Sequence, residues 1–93
     1  MRKYEAVVIL RPDNETVAGA REFLSGLFSG DGCTILKEEE MGDRELAYEI
    51  GKSRRGLYLF YELETEPASI PSFDKALKLR NEILKYLFVR SEE

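Results

Sequence analysis

The run Leu57-Tyr58-Leu59-Phe60-Tyr61-Glu62-Leu63 is apolar at both odd and even positions. A strand with one face in water alternates, whereas a run that stays apolar on both parities suits a central place in a sheet. It is read as the central strand. What precedes and follows it must then supply its neighbours.

Upstream, Lys3 to Leu10 is rich in β-branched and apolar residues and ends at Arg11-Pro12-Asp13-Asn14, a Pro-Asp turn signature, so it reads as the first strand. Asn14 or Thr16 can cap a helix in which Val17, Ala20, Phe23, Leu24, Leu27 and Phe28 recur at spacings of three and four, until Gly30-Asp31-Gly32 stops it. Gly19 and Gly26 cost that helix only ~1 kcal/mol each relative to Ala, and are read as allowing close helix packing. Cys33 to Met41 reads as a strand that turns polar through Glu38, Glu39 and Glu40. Gly42-Asp43 reads as a turn, and Arg44 to Ile50 continues extended. Charges suit an edge that must not pair with other chains, which favours a solvated edge over an acidic catalytic cluster.

A basic turn, Lys52-Ser53-Arg54-Arg55-Gly56, leads into the central strand. Beyond it, Glu66-Pro67-Ala68-Ser69 opens a helix with Ile70, Phe73, Ala76 and Leu77 on one face and Ser69 or Ser72 as its cap. Ile83 to Val89 reads as a last strand, with helical continuation as the alternative because Leu, Lys and Glu abound there.

The order β-α-β-β-α-β predicts an α+β chain with the ferredoxin-like split βαβ fold: a four-stranded antiparallel sheet with two helices on one face. Residues 1–93 are expected to form a single domain, long enough to bury one core without metal or disulfide. Alternation sorts the strands: Tyr4, Ala6, Val8 and Leu10 oppose Lys3, Glu5, Val7 and Ile9, while Leu57, Leu59, Tyr61 and Leu63 oppose Tyr58, Phe60, Glu62 and Glu64. The set ending in carboxylates is assigned to the open face. Tyr58 and Phe60 are then exposed enough to touch a partner.

Composition narrows the function classes. There is no histidine, which removes the commonest general base and metal ligand. The single Cys33 lacks Cys-x-x-Cys spacing, so neither an internal disulfide nor metal-chaperone chemistry is expected, and no metal, cofactor or small-molecule substrate is predicted. Arg11-Pro12-Asp13-Asn14 offers a proline without its N–H and an acid that repels phosphate, which argues against an acylphosphatase-like loop. The expectation is a protein that is not an enzyme. No apolar run approaches the roughly 20 residues of a membrane span, and Val7 to Leu10 is too short for a signal-peptide core, so the cytoplasm is the expected compartment.

Net charge is −4, which taken alone disfavours nucleic acid. The charge is segregated, however: residues 1–11 carry +2, residues 51–58 carry +3 and residues 73–91 carry +3, against −7 over residues 12–50. Such a two-sided particle can dock one face on phosphate. Arg55-Gly56-Leu57-Tyr58-Leu59-Phe60 partly matches the RNA-recognition-motif signature, but Leu57 and Leu59 fill the slots of its stacking rings. Base stacking of that kind is not expected.

Four segments, Arg2-Lys3-Tyr4-Glu5, then Gly42-Asp43-Arg44-Glu45-Leu46-Ala47-Tyr48-Glu49-Ile50 with Lys52, then Gly56-Leu57-Tyr58, and Phe88-Val89-Arg90, resemble the bacterial small-subunit ribosomal protein six family. The Gly-x-Arg-x-Leu-Ala-Tyr-x-Ile core carries most of that specificity, and the resemblance runs over essentially the whole chain. It implies the fold already reached and a nonenzymatic role on the ribosome. That role is binding the central domain of small-subunit (16S) rRNA as a heterodimer with small-subunit ribosomal protein eighteen, a small basic partner. Two features differ from the family pattern: Gly51 replaces a basic or small polar residue, and the acidic tail is short, ending Ser91-Glu92-Glu93.

The residues expected to meet RNA are Arg2, Lys3, Arg44, Lys52, Arg54, Arg55, Lys85 and Arg90. If the first and last strands are neighbours, Arg2, Lys3 and Arg90 come together where their ends align. Arg44 has a competing role in surface ion pairs with Asp43, Glu45 or Glu49. Tyr58, Phe60, Glu92 and Glu93 are the expected partner contacts, whereas Leu46 and Tyr48 are read as packing. The competing function class is a ferredoxin-like protein–protein interaction or regulatory module that touches no nucleic acid.

Overall fold

In a computed structural model that describes residues 1–30 and 32–91, with Asn14 as backbone only, the elements follow the expected order. They are β1 (Arg2–Leu10), α1 (Asn14–Phe28), β2 (Cys33–Ile50), β3 (Ser53–Thr65), a short 3-10 turn (Pro67–Ser69), α2 (Ile70–Lys78) and β4 (Ile83–Arg90). The strands form one four-stranded sheet in the order β2-β3-β1-β4, with every neighbouring pair antiparallel. This is the ferredoxin-like split βαβ topology, with β3 central and the acidic β2 at an edge. Segment 83–90 is a strand, paired antiparallel with β1 from Tyr4–Arg90 to Leu10–Ile83, and not a helical continuation of α2.

Both helices pack on one face of the sheet. Ala20, Leu24 and Phe28 of α1 and Phe73 and Leu77 of α2 meet Ala6, Val8, Leu10, Leu57, Leu59, Tyr61 and Leu63. Phe28 lies at the centre, with its ring centroid 5.1 Å from Tyr61, 5.3 Å from Phe73 and 6.1 Å from Phe88, each edge-to-face. Each fully buried Leu or Phe contributes about 1.5–3 kcal/mol, so this layer outweighs any surface ion pair of the molecule.

Local chemistry differs from the sequence-based expectation at five places. The cap of α1 is Asp13, whose Oδ1 accepts from the Thr16 N–H at 3.0 Å. Asn14 and Thr16 instead lie inside the first turn, because Asp13 itself is extended (φ −71°, ψ 141°) and sets its carboxylate against the positive helix end. Ser69 stands at the N-cap position of α2 as expected, but a proline-initiated 3-10 turn runs directly into the helix, the Ser69 backbone is already helical, and its side chain makes no capping bond. Gly42-Asp43 is not a turn. Gly42, at φ +99°, sits at a register shift inside a continuous β2, where a β-bulge bends the strand without ending it.

The reversal between β2 and β3 is also tighter than a basic five-residue turn. Ile50 pairs with Ser53, leaving Gly51 (φ +54°) and Lys52 (φ +67°) as a two-residue turn with both residues left-handed. Gly51 fits that geometry without strain, which accounts for glycine at this position. Finally, Gly19 and Gly26 do not serve close helix packing, since a Cβ on either would meet nothing within 4 Å. Among the described residues, no helix is long and apolar enough to cross a membrane.

Candidate nucleic-acid interface

Residues directly opposed in antiparallel strands share a face, so register sorts the side chains of the helix-free face into rows. One row runs Tyr58, Ile9, Lys85 across β3, β1 and β4; the next runs Glu39, Phe60, Val7, Leu87 from β2 to β4, apolar but for Glu39 at the edge; a third runs Lys37, Glu62, Glu5, Val89 from β2 to β4. The face therefore grades from cationic and aromatic, through apolar, to acidic. Leu87 and Val89 are 55% and 46% exposed, while Tyr58 and Phe60 are half-buried.

The long hairpin of β2 and β3 completes the first row. Leu46 is only 9% exposed because it folds back over Gly56 and Ile9, with its Cδ2 within 3.2 Å of where a Gly56 Cβ would lie. That fold-back carries the hairpin tip toward β4. There the Lys85 ammonium donates to Tyr48 Oη at 3.3 Å and lies 5.9 Å from the ring centroid. Tyr48 itself is 62% exposed, so it is a surface ring that receives a cation, contrary to its reading as packing. Arg44, on the same face, lies 5.9 Å from the Tyr58 ring centroid, and its Nε donates to the Met41 carbonyl at 3.3 Å.

The expected ion pairing of Arg44 goes to its neighbours. Asp43 accepts from Arg55 Nε at 3.0 Å, and Glu49 lies 3.6 Å from Arg54 Nε. Among the described residues Arg44 makes no ion pair, so its charge is left to attract an external anion. Arg54 keeps most of its side chain in water despite its pair, whereas Arg55 is braced by Asp43 and half exposed. Lys52 stands exposed at the turn.

The chain ends do align, since the Ser91 N–H donates to the Lys3 carbonyl at 2.8 Å. Their cations nevertheless divide between faces. Arg90 is opposite Tyr4 and Arg2 is opposite the buried Thr65, which places both toward the helix layer, while Lys3 is opposite Glu64 on the open face. The three do not form one cluster, because a one-residue offset in a strand reverses the side chain. Arg2 and Arg90 remain diagonal neighbours at the sheet end. Glu92 and Glu93 lie outside the described residues.

One cation escaped the sequence reading. Arg11, set aside within a turn signature, faces the hairpin tip across a cleft of about 570 Å³ that it shares with Asp13, Asp43 and Lys52. Only the tertiary contact between the β1–α1 turn and the hairpin brings them together. Among the described residues no group of three or more His, Cys, Asp or Glu side chains is set to hold a metal ion.

Comparison with known proteins agrees with this architecture. The family profile described as Ribosomal protein S6 matches residues 3–90. A small ribosomal subunit protein bS6 from Treponema denticola is 37% identical over 93 residues, and one from Halalkalibacterium halodurans is 36% identical over 95, each alignment spanning all of both chains. The crystal structure of 30S ribosomal protein S6 from Thermotoga maritima superposes with a TM-score of 0.87 at 24% identity, covering 97% of this chain and 87% of that one, a likeness of fold. With the profile spanning nearly its whole length and full-length relatives above one-third identity, the chain belongs to the ribosomal protein S6 family.

Proposed function

We propose that this chain is a structural, nonenzymatic component of the bacterial small ribosomal subunit, acting in the cytoplasm, that binds the central domain of small-subunit rRNA together with small-subunit ribosomal protein eighteen. The observation that carries the reading is the first row of the open face. Arg44 and Lys85, distant in sequence, stand on one face beside Tyr58 and Tyr48, next to a hairpin tip bearing Lys52, Arg54 and Arg55. Cations held at aromatic rings in fixed positions suit the phosphates of a folded RNA, because contacts to the backbone position a protein without reading bases. Arg2, Lys3 and Arg90 add charge at the far end of the sheet.

Binding of a protein partner is supported on the same face by the exposed Leu87 and Val89 beside Phe60. A small basic protein would cover this apolar row, meet the acidic row of Glu62 and Glu5, and supply positive charge that a chain of net charge −4 lacks. The chain is therefore expected to bind a central-domain rRNA fragment weakly alone and tightly with the partner, with affinity falling steeply as salt rises. Tight association with the partner and no RNA affinity at any salt concentration would point instead to a protein-interaction module.

A further inference from the structure

The cleft between the β1–α1 turn and the hairpin tip is separate from the open-face row. Arg11 and Asp13 form one wall, and Asp43, Lys52 and Ser53 the other. At about 570 Å³ this open cleft falls within the size range of small-molecule sites. Its two exposed cations come from segments about forty residues apart. Lys52 is held toward it by a left-handed backbone, φ +67°, that a lysine adopts only at a cost of about 1 kcal/mol.

The other groups are already oriented by the protein. Asp13 is engaged by Thr16 through both its N–H, which donates to Oδ1 at 3.0 Å, and its side chain, whereas Asp43 accepts from Arg55 Nε at Oδ1, 3.0 Å, and keeps its second oxygen for an outside donor. Ser53 Oγ donates to the Arg55 carbonyl at 2.7 Å and thereby presents lone pairs. Two carboxylates repel a run of phosphates, which disfavours a duplex backbone lying along the cleft. A single phosphate between Arg11 and Lys52, with hydroxyl or amino groups of the same nucleotide facing the carboxylates, satisfies both charges.

We infer that this cleft receives one unpaired nucleotide of the rRNA, its phosphate held by Arg11 and Lys52 and its ribose 2′-hydroxyl or base edge donating to Asp43. The inference rests on the proposed rRNA-binding role and adds to it a site that discriminates RNA from DNA and loop from helix. Unstacked nucleotides are where RNA offers donors that a protein can read.

The test uses the full chain with its basic partner and the central-domain rRNA fragment. Arg11→Gln and Lys52→Asn are compared with wild type and with Lys75→Ala on the helix side; asparagine tolerates the left-handed backbone at position 52. Each cleft variant is expected to weaken binding about 3- to 10-fold and to lower the slope of log K against log salt by ~0.7–0.9, with Lys75→Ala unchanged. A photo-crosslinker on Ser53→Cys is expected to mark an unpaired nucleotide, and a 2′-deoxy substitution there to weaken wild-type binding. Wild-type binding with both cleft variants unaffected, or crosslinks confined to duplex, overturns the inference while leaving the rRNA role standing. Failure of wild type to bind the fragment overturns the role itself.

Discussion

Gly56 and Ile9 meet so closely that a Cβ added to Gly56 would stand 2.4 Å from Ile9 Cγ2. The absent side chain lets Leu46 fold over β1 and thereby aims the hairpin tip across the open face. Gly56→Ala forces the branched Ile9, which is held near its backbone, to move together with Leu46. The expected cost is about 1–3 kcal/mol in denaturant unfolding, with faster amide exchange over residues 44–55.

Gly19 and Gly26 give the opposite sign. Both are exposed within α1, and a Cβ on either meets nothing within 4 Å. Gly19→Ala and Gly26→Ala should each stabilise the protein by about 0.5–1 kcal/mol through helix propensity and a less flexible unfolded chain, read as a raised denaturation midpoint at unchanged m-value.

Lys52 separates stability from function. Its φ of +67° favours glycine, so Lys52→Gly should stabilise the fold by up to about 1 kcal/mol while weakening rRNA binding with the partner through loss of a cation. Equilibrium unfolding and a gel-shift titration on the same variant check both halves. A variant that gains stability and keeps full affinity would remove Lys52 from the interface.

Tyr86 ties β4 to α2, donating its hydroxyl to a carboxylate oxygen of Asp74. This bond, followed by the Lys78 ammonium, holds the Asp74 carboxyl below its usual value, while burial and the same carboxylate push Tyr86 up to about 12. Asp74 therefore adds stability that is present above the unfolded carboxylate pKa of ~3.9 and fades as pH falls through its lower folded value. Tyr86 adds stability that is present below its unfolded pKa of ~10 and is lost as pH rises through the folded one. Wild type should exceed Tyr86→Phe in stability near neutrality, with the two curves converging at both pH extremes.

Element order, central and edge strands and the choice of open face were legible because burial imposes a period on the side chains: β3 alternates beneath its apolar run, and α1 repeats Leu24 and Phe28 at helical spacing. The bulge at Gly42 was not, since a glycine before an aspartate reads equally as a turn, and only pairing with Tyr58 keeps β2 continuous. The cations at the chain ends were correctly placed along the sheet but not across it, because the pairing of Tyr4 with Arg90 is set by register. Arg11 had no local signal at all. Its setting depends on a hairpin that folds toward it from a remote part of the chain.

The proposed role places rRNA phosphate on the open-face cations Arg44 and Lys85 beside the tyrosines. Its most direct test is the salt dependence of central-domain rRNA binding, with the basic partner present, for wild type and the Arg44→Gln/Lys85→Gln double variant. Weaker binding is expected, with the slope of log K against log salt reduced by about 1.4–1.8 for the two lost charges. An unchanged slope and affinity in a folded double variant would contradict it.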